Sequence, residues 1–234
     1  MDKKYYCNLL KDAFRYAISD WKAILILGVF LYIISYIEDN VVFKHGFNTL
    51  TYIFLLIVLI IFSFIESGYS FKILEETISG SRTPPIFGDY LELLKHGIKD
   101  SIVVMFYMVI IIFILVLSFE LPFHGYKLFV FSMGLVFAAI FYILMLGAFL
   151  NLAYNNGDLR SGFAIGDIID LLKGIGVSKL ILVYLLVIMS EGLIVLFVFV
   201  NIPLDNPFIL FVMNLFITPF FVIFSKRAFA LSSL

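Results

Sequence analysis

The chain has 234 residues, 63% of them hydrophobic, with 28 Phe and a mean hydropathy of +1.10, where soluble domains hold roughly 45–50% apolar residues. Charged residues make up 14%, and sixteen Lys and Arg nearly balance seventeen Asp and Glu, so no basic or acidic tail points to a nucleic-acid partner. A single cysteine, Cys7, excludes an intramolecular disulfide.

The first twenty residues predict an amphipathic helix. Tyr6, Leu9, Leu10, Ala13, Phe14, Ala17 and Ile18 share one face, and Lys4, Asn8, Lys11, Asp12, Arg15 and Ser19 share the other. The stretch is too polar for a cleavable signal, so the first apolar run is expected to double as an uncleaved insertion signal. Six apolar runs follow: Trp21–Ile37, Phe47–Ile65, Ile102–Phe119, Leu128–Leu150, Leu180–Val200 and Phe208–Phe224. Each is near the roughly 20 residues that cross a bilayer as a helix. No period-2 alternation suggests a barrel. Trp21 and Lys22 are placed to anchor the start of the first span.

Fourteen of the sixteen Lys and Arg fall on the side shared by the two chain ends, leaving only Lys44 and Lys127 opposite. Both termini are therefore expected in the cytoplasm of a cell-membrane protein, with short outer loops at Glu38–Gly46, Glu120–Lys127 and Asn201–Pro207.

Leu-Leu-Lys occurs at Leu9, Leu93 and Leu171, each time ahead of two spans. The second and third copies align without a gap at an offset of 78: Arg82 with Arg160, Asp89 with Asp167, Glu92 with Asp170 and Lys95 with Lys173. The fold expected is an all-α membrane protein, six transmembrane helices in three hairpins, each preceded by a cytoplasmic amphipathic interfacial helix. The chain forms a single domain with repeat units of about 2–65, 82–152 and 160–227. Asp89 and Asp167 read as N-caps, with Glu92 and Asp170 three positions on in the manner of a capping box. Gly97 and Gly174 are expected to turn each flat helix into its span. Arg82, Lys95, Arg160 and Lys173 are candidates for gripping anionic headgroups or a protein partner; capping and solvated charge is the plainer reading for the aspartates, and the arginines, which a cap does not need, stay open.

From Pro84-Pro85 through Lys99 the sequence resembles an archaeal family of multi-pass membrane proteins classed as domain of unknown function 4013. Its pattern is matched by Pro85, Phe87, Asp89, Tyr90, Glu92, Leu93, Gly97, Ile98 and Lys99, with departures at Ile86 and Gly88, where acidic residues are usual. The resemblance implies a multi-pass membrane protein and carries over no activity.

Glu191 is the one acidic residue deep in an apolar run, ~16 Å from the start of its span. Ser190, Asn214 and Thr218 are its candidate hydrogen-bond partners, and Pro219 frees a carbonyl nearby. It reads either as a protonated residue joining two helices or as a proton or cation site. His45, His96 and His124 lack metal-ligand spacing, and no catalytic constellation or cofactor motif is present. Gly134 and Ala138 form a small-residue pair that reads as internal packing. The expectation is a non-enzymatic membrane protein whose interfacial helices contact the lipid bilayer or a cytosolic or membrane partner. The alternative is a small-solute or proton-coupled transporter using Glu191. The charge bias predicts that tags at the two ends are both labelled only after the cytoplasmic face is opened; labelling of one tag in intact cells contradicts it.

Overall fold

The computed structural model describes residues 3–43, 48–120, 126–201 and 207–234, and the expected outer-loop residues Lys44, His45 and His124 lie outside them. Among the described residues the chain is helical: α1 Lys3–Ser19, α2 Trp21–Phe43, α3 Thr49–Ile78, α4 Tyr90–Glu120, α5 Lys127–Tyr154, a 3₁₀ turn Leu159–Phe163, α6 Ile165–Ile175, α7 Val177–Asn201, α8 Pro207–Val212, a π turn Met213–Ile217, and α9 Thr218–Ser232. Six of these helical stretches are long and apolar enough to cross a membrane. They expose rows of large apolar side chains, such as Ile53, Phe54, Ile57, Ile60 and Ile61 on α3. Water would penalise such faces heavily, whereas lipid solvates them.

Two compact units emerge, one of residues 1–98 with 178–234 and one of residues 99–177. In the first, α1 packs on α9 through Leu9, Ala13, Tyr16 and Ala17, all buried. Asp20 caps α2, its Oδ1 accepting from the amides of Lys22 (3.0 Å) and Ala23 (3.3 Å). α2 packs on α3, α9 and the π turn. That turn has a local cause. Pro219 has no N–H, so a carbonyl in the turn before it loses its helical donor. Within the widened turn the Leu215 carbonyl lies against Gly28 so closely that a Cβ there would collide with it.

The polar stretch between the second and third spans differs from expectation. It is not a loop with a flat helix. α3 continues to Ile78 and α4 starts at Tyr90. At about 1.5 Å per residue both reach roughly 45 Å, beyond a ~30 Å hydrocarbon core. The turn expected at Gly97 is absent and α4 runs through it. Gly97 serves contact instead: a Cβ there would strike the Phe64 carbonyl, and one on Gly68 would strike the Leu93 carbonyl. Two glycines thus let the backbones of α3 and α4 touch, as small residues do between membrane helices.

Between them, residues 80–89 are pinned inward. Phe87 is buried, its ring 4.5 Å from Tyr69 and 5.2 Å from Phe30. The Tyr69 hydroxyl donates to the Pro85 carbonyl at 3.1 Å.

In the second unit α5 packs on α6 and on the 3₁₀ turn. Buried Asn151 donates to the Ser161 carbonyl (2.9 Å), Tyr107 to that of Gly162 (3.2 Å), and Lys99 to that of Gly157 (2.7 Å). Gly134 sits against the Ser118 side chain, so this small residue serves packing inside the unit. The turn after α6 falls at Gly176, whose φ is +87°, and not at Gly174.

Replacing Gly97 by Ala forces the two backbones apart at an expected cost of about 1–3 kcal/mol, whereas Gly88, with open space around it, accepts Ala. Thermal unfolding in detergent micelles should show a clear loss for Gly97→Ala and none for Gly88→Ala.

Candidate functional site

The aligned aspartates take different places. Asp89 precedes α4 with φ +48°, and its Oδ1 accepts from the Glu92 amide at 3.3 Å. The Glu92 carboxylate does not return to that cap. It pairs with Lys72 at 3.3 Å and lies 3.8 Å from His96. Asp167 is not a cap. α6 begins two residues before it, Ala164 holds the cap position, and no side chain caps there. Asp170 pairs instead with Lys173 at 3.2 Å on an exposed face. The difference follows from the preceding residues, because Pro84-Pro85 cannot form the 3₁₀ turn that Arg160, Ser161 and Gly162 form.

Glu191 is half-buried on α7 and makes no hydrogen bond or ion pair with a described residue. The neighbours expected to bind it do otherwise. Asn214 Nδ2 donates to Ser35 Oγ at 3.2 Å, joining the π turn to α2. Ser190 Oγ donates to the Val187 carbonyl of its own helix at 2.7 Å. Thr218 makes no bond to Glu191. Among the described residues no group of three His, Cys, Asp or Glu side chains is arranged to hold a metal.

The densest polar constellation lies elsewhere in the first unit. Arg227, on α9, is buried. Its Nε donates to Asp12 Oδ1 at 3.1 Å, Nη2 lies 3.0 Å from the same oxygen, and Nη1 donates to the Ser81 carbonyl at 2.7 Å. Its guanidinium carbon stands 4.3 Å from the Tyr16 ring centroid, a cation–π arrangement. One side chain thereby ties together α1, the turn after α3, and α9. Burial pushes the Tyr16 phenol up to about 12, against the pull of the Arg227 guanidinium; the phenol therefore stays neutral at physiological pH. A cavity of about 550 Å³ opens beside this knot, bordered by Asp12, Arg15, Tyr16, Ser19, Arg82 and Arg227 among others. Arg82 thus joins two arginines from distant parts of the chain. Lys95 is exposed in the same unit; Arg160 and Lys173 are exposed in the other.

Sequence reasoning missed this knot, since it counted Arg227 only as topological charge and placed Asp12 and Arg15 only on a polar face. The usable signal was an Arg just past the end of an apolar run, where a charge must find a partner or reach water.

Asp12→Ala strands a buried guanidinium and should cost about 1–3 kcal/mol. Arg227→Met should cost a similar amount, and the double variant less than their sum. Unfolding by SDS titration in mixed micelles measures all three, and full additivity contradicts the coupling.

The model of a protein family described as Protein of unknown function (DUF4013) matches residues 51–204. No curated protein and no solved structure matches the chain. With about two thirds of its residues inside that match and six helices fit to cross a bilayer, the chain is a multi-pass membrane protein and belongs to this family of unknown function.

Proposed function

We propose that the protein is a non-catalytic integral membrane component whose short helices α1 and α6 lie along the cytoplasmic leaflet and contact its lipids. One observation on α1 carries this reading. Phe14 and Ile18, one turn apart, are about half exposed, and Trp21 after them is 64% exposed. Lys11, Arg15 and Lys22 are exposed on the same short stretch. Apolar and aromatic side chains beside cations suit the boundary between acyl chains and anionic headgroups. α6 supports it with the same arrangement. Ile168 and Leu172 are buried, a Cβ on Gly147 of α5 would meet both, and Ile165 and Ile169 stay exposed. A protein partner covering these faces is the competing occupant. A second reading, proton-coupled transport through Glu191, is favoured by that carboxyl having no partner among the described residues in an otherwise apolar helix.

Trp21 is the only tryptophan, so its fluorescence reports this boundary directly. In reconstituted bilayers it should be quenched most by lipids brominated near the headgroup end of the acyl chain. Phe14→Ser with Ile18→Ser should weaken that quenching. Equal quenching at all depths, or none, contradicts the interfacial placement. Proteoliposomes that acidify in response to an imposed gradient, and cease to do so with Glu191→Gln, would establish the transport reading instead.

A further inference from the structure

We propose that the cavity bordered by Arg15, Arg82 and Arg227 binds a phosphate-type anion, either a phospholipid headgroup or a small soluble phosphate. Charge comes first. Three guanidiniums and one carboxylate, Asp12, border the cavity, a surplus of two positive charges. Glu76, which acts electrostatically on Tyr16, leaves a surplus of one when counted with them. A metal cation is therefore repelled, and an anion of one to two negative charges is matched. Phosphate esters carry about that charge at neutral pH.

Partnering comes second. Arg227 is held by Asp12 and by the Ser81 carbonyl, yet Arg15 and Arg82 make no ion pair or hydrogen bond through their side chains with a described residue. They stand on different segments, α1 and the 80–82 turn, and both border the same space. Two guanidiniums bordering one space without a carboxylate partner among the described residues repel each other, and an anion between them lowers that cost. Each offers a planar fork of N–H groups that matches phosphate oxygens two at a time.

Rigidity comes third. Because Arg227 fastens α1, α9 and the turn through Ser81, the backbone segments that carry Arg15 and Arg82 are held in place before the ligand arrives. That limits the ordering cost of binding. The cavity, at about 550 Å³, lies within the range of small-molecule sites. The proposal does not depend on α1 touching the bilayer, since a soluble phosphate needs no membrane.

The test uses the full-length protein in neutral detergent and in nanodiscs. In one arm, inorganic phosphate and glycerol 3-phosphate are titrated calorimetrically into the detergent-solubilised protein. In the other, native mass spectrometry compares retention of phosphatidic acid and phosphatidylglycerol with that of phosphatidylcholine. Saturable binding of the soluble phosphates identifies a soluble ligand. Selective retention of the anionic lipids, undisturbed by millimolar phosphate, identifies a headgroup. In either case Arg15→Gln with Arg82→Gln should weaken binding by at least about tenfold. Both arginines are exposed, so the pair should leave the helical circular dichroism intact. Lys72→Gln with Lys179→Gln, in the same unit but not on the border of the cavity, should leave binding unchanged. No binding in either arm overturns the proposal, as does binding that the arginine pair does not affect or that the lysine pair weakens equally.

Discussion

Hydrocarbon offers a peptide group no hydrogen bond, and three irregular segments among the described residues sit where protein groups can supply one. The π turn at Met213–Ile217 lies against Gly28, and Asn214 beside it reaches Ser35. The 80–89 segment has its Pro85 carbonyl bonded by Tyr69. The 155–164 segment has carbonyls bonded by Lys99, Asn151 and Tyr107. Tyr69, Lys99, Asn151 and Tyr107 thus give their hydrogen bonds to backbone in a chain of high hydropathy.

The same economy explains the stretch on which the family resemblance rests. Phe87 fills an aromatic cluster, Asp89 caps α4, Glu92 pairs with Lys72, Gly97 admits the backbone of α3, and Lys99 bonds the end of the α5 turn. Every one of these tasks is structural. Of the arginine cavity's border, only Gly80 and Arg82 lie within the residues matched to the family.

The six spans were readable because an apolar run of sufficient length has one stable solution in lipid. The local reading of Gly97 failed for a physical reason. A glycine punctuates a chain when nothing touches it, but between two helices it is a contact surface, and sequence alone does not say which. Asp167 failed because capping depends on where the helix begins, and the 3₁₀ turn before it moved that start upstream. Glu191 was given Ser190 beside it and Asn214 and Thr218 on the next span as partners, yet Asn214 chose Ser35 at a separation of 179 residues. The Asp12–Arg227 tie spans 215 residues. Pairings at such distances leave no local periodicity to read.

That last separation has a consequence in time. A ribosome adds about 5–20 residues per second, so roughly 10–40 s pass between the emergence of Asp12 and that of Arg227. Throughout that interval α1 has no α9 to rest on, and its Leu9, Ala13 and Ala17 are uncovered while five spans are being threaded. The nascent N-terminal helix must wait on some other surface, and its docking onto α9 closes assembly rather than starting it.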